Sequence, residues 1–466
     1  MEDLTIIGLF FANALLAALI AVAFTFKCHF INQYYRLEKE YLEKLRKKDL
    51  PIYFSNLAVK EEAFNKIFHL KPNKVLILKR LAVKDISLAK KLIYFQTKKY
   101  PKDLSLLLLD AEISLLTQNR ERFQHIVDSI RLPHFLSKKQ QAQYLYLSAE
   151  NELYQTDMLS ATAHISKALK IYQKKGDAYA TAICYQTLCR IYRISGIFDV
   201  AFTMLKEAKK IYEELDIPAK LSETEAYFGL IEIGRENFKI AQEYLDSATK
   251  ICQQNNLKET SSHIKNWQGL ILYLNNQQKK ATKLFETTLK TSKEPPAKAY
   301  AAEMLARIEL KQKQYDSALK YADKAILYAK EQNLIPNIFE NLYLKAETYY
   351  ASKDYTKSRQ ILTELIKQKT PPTAIYYPAN AYTLLGMVEL RENNINKART
   401  LFKQALDLEH AQNRLKGAAI DYNNLAELSC LTGNHTEAEI YLAQALKYAE
   451  EIDDKELIEY LKSKQL

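Results

Sequence analysis

At 466 residues, 48% hydrophobic and 26% charged, the chain has ample apolar material for a large ordered structure, and nine glycines with eleven prolines suit a nearly all-helical one. Its formal net charge of +12 is the balance of 67 basic and 55 acidic side chains interleaved along helices, as in Lys206-Glu207-Ala208-Lys209-Lys210. That mixing makes a solvated face, so nucleic acid is not an expected partner, and five cysteines without a CxxC pair argue for free thiols in a reducing compartment.

Residues 1–26 are expected to form a membrane anchor. After Met1-Glu2-Asp3, Leu4 to Phe26 runs 23 residues without a charge, enough to span a bilayer at about 1.5 Å per residue. Ala21-Val22-Ala23 has the form of a signal-peptide cleavage site, but the run is longer than an h-region and no Lys or Arg precedes it. Lys27, Arg36, Lys39, Lys44, Arg46, Lys47 and Lys48 follow it instead. The positive-inside rule therefore puts the N-terminus outside and everything after this single span in the cytoplasm. Gly8 and Ala12, and Ala14 and Ala18, are small residues four apart with polar Asn13 among them, a route to a homodimer through the anchor. The plainer explanation is that alanine is common in membrane helices.

Residues 27–50 continue as a basic amphipathic stalk with Phe30, Tyr34, Leu37, Tyr41 and Leu45 along one stripe. Such a stripe suits a short coiled coil, a second route to a homodimer, or contact with the first repeat, and the basic face suits anionic headgroups. Residues 51–141 are predicted to be degenerate helical hairpins, with Lys60 to Leu70, followed by Lys71-Pro72, resembling the end of one.

From 142 to 450 one pattern recurs eight times. A small residue reads Ala161, Ala201, Ala241, Ala281, Ala318, Ser358, Ala398, Ala438, in steps of 40, 40, 40, 37, 40, 40 and 40 residues. Twelve residues earlier stands another small one: Ala149, Cys189, Gly229, Gly269, Ala306, Ala346, Gly386, Ala426. Four residues later comes a mostly larger apolar one: Ile165, Leu205, Leu245, Phe285, Ala322, Leu362, Phe402, Leu442. Each period holds two apolar runs at helical spacing, separated by a polar turn such as Arg391-Glu392-Asn393-Asn394. Two helices on so short a turn lie antiparallel, small residues let them cross closely, and hairpins that cannot bury both faces alone must stack. Pro295-Pro296 and Pro371-Pro372 are expected to be loops within the array, and 451–466 a capping helix with Leu457, Tyr460 and Leu461 inward.

This small–small–large spacing resembles the tetratricopeptide repeat (TPR) family, and the period of 40 resembles its long-helix variant. Within the degenerate part, Ala89, Ile93 and Pro101 fit the twentieth, twenty-fourth and thirty-second repeat positions, and Ala111, Phe123 and Val127 the eighth, twentieth and twenty-fourth of the next. The resemblance implies an all-α fold, a right-handed α-solenoid of stacked TPR hairpins, here preceded by one transmembrane helix. It also implies a concave groove lined by the first helix of each hairpin, notably at its fifth and ninth positions. Carried onto this chain, those are Tyr146 and Glu150, Gln186 and Arg190, Ala226 and Leu230, Asn266 and Leu270, Glu303 and Arg307, Tyr343 and Glu347, Thr383 and Met387, Asn423 and Glu427. Their apolar middle and polar ends suit an extended or helical peptide. The Lys-and-Asn pair with which chaperone-adaptor TPRs hold a terminal carboxylate is in none of these repeats.

No glycine-rich phosphate loop, GxSxG or HExxH occurs, and the eight histidines are dispersed, so neither catalysis, cofactor nor metal is expected. The expected function is a membrane-anchored TPR scaffold that binds partner proteins or peptides in its groove. The alternatives are a peptide-responsive TPR sensor and an exported factor in envelope assembly.

Overall fold

The computed structural model describes Ile77 and residues 86–464, apart from 118, 131–135, 332–333, 369–376 and 413. The expected anchor Leu4–Phe26, the stalk 27–50, the hairpin end Lys60–Leu70 and Pro371-Pro372 lie outside the described residues. Among the described residues there is no strand, and no helix is long and apolar enough to cross a membrane.

The described residues divide into two compact units, the first built from those up to Leu153 and from Asp157–Asn256, the second mainly from those after Asn256. The first contains α1 (Ile86–Lys99), α2 (Leu104–Leu116) and α3 (Arg120–Ser129). Three hairpins follow: α4 (Lys138–Tyr154) with α5 (Met158–Lys175), α6 (Ala178–Ile194) with α7 (Phe198–Glu214), and α8 (Pro218–Gly234) with α9 (Phe238–Gln254). The second unit pairs α10 (Lys258–Leu274) with α11 (Gln278–Thr291), α12 (Pro295–Lys311) with α13 (Tyr315–Glu331), and α14 (Ile335–Ala351) with α15 (Tyr355–Lys367). It ends with α16 (Tyr377–Arg391) and α17 (Ile395–Ala411), α18 (Leu415–Leu431) and α19 (His435–Glu451), and α20 (Lys455–Lys462). Within each unit, successive hairpins stack into an all-helical repeat solenoid.

The 40-residue period has a simple origin in two 17-residue helices and two three-residue links, as in α6 and α7. Among the described links of this kind, all but Ser292-Lys293-Glu294 turn the chain through one left-handed residue. Gly196 has φ +73°, its N–H bonds to the Arg193 carbonyl at 3.1 Å, and the next N–H, of Ile197, reaches back to the Tyr192 carbonyl at 2.8 Å. This is the Schellman arrangement, which satisfies two orphan carbonyls of the ending helix. The residue that closes it also begins the next helix, so consecutive helices are forced antiparallel. Glycine takes the left-handed position at 176, 196 and 433, while Asn256, Asn276, Asn393 and others hold it elsewhere.

The single 37-residue step is explained by α11, which has 14 residues instead of 17. Pro295 and Pro296 correct the expectation of a loop, because they form the first turn of α12. Proline is favoured there, since its missing N–H would have had no intrahelical partner.

The repeated small residues are where the helices cross. Ala161, Ala201, Ala241, Ala281, Ala318, Ala398 and Ser358 are wholly buried. Where the first helix carries glycine, the second brings its bulk into the vacated space. A Cβ on Gly269 would stand 2.7 Å from the Phe285 ring, and one on Gly386 2.6 Å from the Phe402 ring. Ala306, by contrast, is matched by Ala322, both buried in one cluster. In α20, Leu461 is fully buried while Tyr460 is 47% exposed, so the tyrosine does not point inward as expected. Leu457, Ile458 and Leu461 make the covered face of this short helix, and Tyr460 lies about 100° round from Leu461.

Candidate functional site

First helices present one edge to their neighbours in the stack, and polar residues gather there in each unit. In the first unit α4, α6 and α8 enclose a cleft of about 90 Å³ lined by Tyr146, Glu150, Ile183, Gln186, Thr187, Arg190, Lys220, Glu223 and Tyr227. Arg190 donates to Glu150 at 2.5 Å, joining the ninth positions of consecutive hairpins. Lys220 pairs with Glu223 at 2.7 Å, and Glu223 also accepts from Gln186 at 2.9 Å. The Tyr212 hydroxyl donates to the Gln186 carbonyl oxygen at 2.9 Å, orienting that amide from α7. Burial works against the charge on Arg190, but Glu150 and the phenols of Tyr146 and Tyr227 outweigh it and raise its pKa above the ordinary arginine value. Burial likewise pushes the Tyr227 phenol up, so the ring stays neutral beside these charges. The cleft is a polar, internally neutral floor rather than an acid–base constellation.

The second unit assembles another group from α12, α14 and, further along, α16 and α18. Arg307 donates to Glu303 at 3.3 Å on its own helix and to Glu340 across the stack. Asn341, fully buried, donates to Glu303 at 3.4 Å and to the Asn337 carbonyl at 2.8 Å. Burial pushes the phenols of Tyr300 and Tyr343 up, next to Glu303 and to Glu347 and Glu340 respectively. Thr383 donates to Asp421 at 2.8 Å.

The sixteen groove candidates therefore fall into separate sets. Tyr146, Glu150, Gln186 and Arg190 come together in the first cleft. Glu303, Arg307, Tyr343 and Glu347 share the second group, with Thr383 tied to Asp421 beyond it. Ala226 is fully buried and offers no surface to a ligand, a correction to its place on an apolar groove floor. Asn266, 1% exposed, spends its amide on the Ala297 carbonyl at 2.8 Å and so staples α10 to α12. Leu270 and Met387 pack onto core clusters, while Leu230 and Asn423 are half-buried and Glu427 is exposed. Sequence reasoning missed Ile183 and Glu223, which stand at the second repeat position, and Thr187, Lys220 and Tyr227. Ile183 and Glu223 stand three residues, about one helical turn, before the carried positions Gln186 and Ala226, a spacing that could have found them; Lys220 precedes its repeat and carried no signal.

Among the described residues, no three His, Cys, Asp or Glu side chains meet as a metal site. Burial pushes the Cys189 thiol up to about 12 and the Cys184 thiol higher, so both act as small core residues.

Tetratricopeptide repeat family models match residues 268–333 and 304–374, and another matches 422–452. The chain carries tetratricopeptide repeats. Its fold is similar to the apo form of the quorum sensor NprR from B. thuringiensis, at 14% identity over 74% of this chain and 99% of that one, with TM-score 0.51. It is similar also to a Rap protein complexed with Competence and Sporulation Factor, at 16% identity over 77% of this chain and 97% of that one, TM-score 0.51. A STAND protein with a tetratricopeptide repeat sensor from Pyrococcus horikoshii matches at 16% identity over 76% of this chain and 57% of that one, TM-score 0.50. At these identities the TPR likeness is one of fold. No curated protein matches the sequence.

Proposed function

We propose that this TPR protein is an adaptor that captures an extended segment of a partner protein along its first-helix face and holds it at a membrane. The observation that carries the reading is the cleft of the first unit, where four polar groove candidates converge on one space with their charges paired in place. A preformed, charge-balanced floor of amide, hydroxyl and phenol groups suits hydrogen bonding to an extended peptide backbone. The fold likeness to a Rap protein solved with a bound factor supports a ligand on this kind of scaffold. The membrane part rests on Leu4–Phe26 and the basic residues that follow.

Panning a displayed peptide library against the full chain tests the capture. Enriched peptides are expected to bind wild type and to lose binding to Gln186→Trp, which fills the cleft from a half-buried lining position. Equal binding to both proteins would remove the cleft from the account. The second reading, a peptide-responsive sensor, is favoured by the likeness to NprR and to the STAND sensor. Saturating peptide leaves the radius of gyration unchanged for an adaptor, and a ligand-induced change in small-angle scattering transfers the assignment to the sensor.

Localisation has its own measurement. A reporter fused after Leu466 is expected to be active in the cytoplasm and to fractionate with membranes. Activity only after export would favour the envelope-assembly alternative.

A further inference from the structure

The charged group of the second unit, unlike the cleft of the first, does not balance. Three carboxylates, Glu303, Glu340 and Glu347, share one guanidinium, Arg307. Arg307 bonds Glu303 and Glu340, whereas Glu347 is half-buried and makes no hydrogen bond or ion pair among the described residues. A second observation concerns a neighbour of Glu303. Asn341 is fully buried with its amide turned onto Glu303, and its Oδ1 has no donor. A buried acceptor without a donor is costly, and so is a desolvated carboxylate without a counter-charge.

We propose that this seam is a receptor for a cationic side chain, a lysine or arginine carried on an extended segment of a protein partner. The inference rests on the reading of the first-helix face as the capture surface, and it gives the chemistry of that face in the second unit. The deficit open to a ligand is positive charge, at the half-buried Glu347. Burial pushes the carboxyls of Glu303 and Glu347 up, Arg307 opposes the rise and Glu340 adds to it, as a shortage of cation requires. A bare metal ion does not meet the need, because the three carboxylates do not converge into a metal-binding group. An ammonium or guanidinium on a long stem spans more widely spaced acids. Tyr343 and Tyr300, neutral beside them, supply apolar area for that stem and an aromatic surface for its charge.

The test uses the full chain and two blocked, fluorescein-labelled nonapeptides, one alternating lysine with alanine and the other glutamate with alanine. Anisotropy at low salt is expected to show binding of the lysine peptide only. Glu347→Gln should weaken it about tenfold, the scale of a lost charge-assisted contact. Glu331→Gln, an exposed acid on the second helix α13, should leave it unchanged. Calorimetry at about pH 6 in buffers of different ionisation enthalpy should detect proton release, because an arriving cation lowers the raised carboxyl pKa values. The amide variant is isosteric, and circular dichroism checks that it folds. Equal weakening by both variants, equal binding of both peptides, or no binding of the lysine peptide overturns the proposal. If panned peptides still distinguish wild type from Gln186→Trp when the lysine peptide fails, the seam is lost and the capture reading stands. If lysine binding persists in Gln186→Trp and falls in Glu347→Gln, the seam stands apart from the first cleft.

Discussion

Phe402→Ala is expected to lower stability by about 3–5 kcal/mol, the usual cost of emptying a buried aromatic site. The ring is wholly buried and lies over Gly386, where a Cβ would come within 2.6 Å of it. The converse change, Gly386→Leu, inserts a side chain where the ring already sits and should cost about 1–3 kcal/mol from overpacking. The informative measurement is the double variant. With Phe402 reduced to alanine, leucine at 386 can occupy part of the vacated volume, so the two losses should fall short of adding. Denaturant unfolding followed by circular dichroism measures this, read as the shift of the transition because repeat arrays unfold in parts. Additive losses would mean that the ring and the glycine are not one packing unit. Gly269 and Phe285, with a corresponding distance of 2.7 Å, should behave alike.

Asp421→Asn is expected to stabilise the protein at neutral and alkaline pH and to change little in acid. Asp421 is fully buried on α18 and accepts from Thr383 at 2.8 Å. Burial pushes its carboxyl up from 3.8 to about 8, Thr383, Asn424 and Arg414 pull it back, and the nearby Glu409 carboxylate adds to the rise. Glu409, itself 1% exposed, already takes Arg414 at 3.1 Å, so that guanidinium is shared. On α14, Tyr343 also lies within the field of Asp421. The folded state therefore prefers the neutral acid. Its stabilising contribution is complete below the unfolded value of 3.8 and is lost progressively until about pH 8. At about 1.4 kcal/mol per unit, a shift of that size has a ceiling of about 6 kcal/mol. Local relaxation and water entry reduce it, so the gain from Asp421→Asn above pH 8 should be on the order of 2 kcal/mol. Asparagine keeps an oxygen for the threonine and carries no charge. Thermal unfolding of both proteins across this range decides it. A difference that stays flat, or grows toward acid, would show that Asp421 is ionised in the fold.

The repeat was legible because it is written in local spacing. Ala398 to Phe402 to Ala405 is one stripe of a helix by the 3.6-residue turn alone, and Gly386, twelve residues before Ala398, belongs to the helix it crosses. Burial at these positions follows from the alternation of small and large residues, so architecture needed no coordinates. The left-handed link residue was less visible. Glycine marks it at 176, 196 and 433, while Thr156, Glu236 and Lys353 hold it without any compositional flag. There the pull of two packed helices outweighs the modest cost of a positive φ.

Side chains that meet across the stack could not be read from the letters. Positions five and nine pointed to Gln186 and Arg190, yet their surroundings depend on Lys220, Glu223 and Tyr227 from the next hairpin. Nothing in the spacing told that Ala226 would be covered, that Asn266 would spend its amide on a neighbouring backbone, or that Arg307 would reach Glu340 and leave Glu347 alone. The spacing along one helix is set by backbone hydrogen bonds, which every sequence shares. Contacts between hairpins follow from the crossing angle at each stack, which comes from the fit of many side chains at once. The all-helical repeat fold was thus already present in the amino-acid order, and the charge balance of each site arose only when the hairpins were stacked.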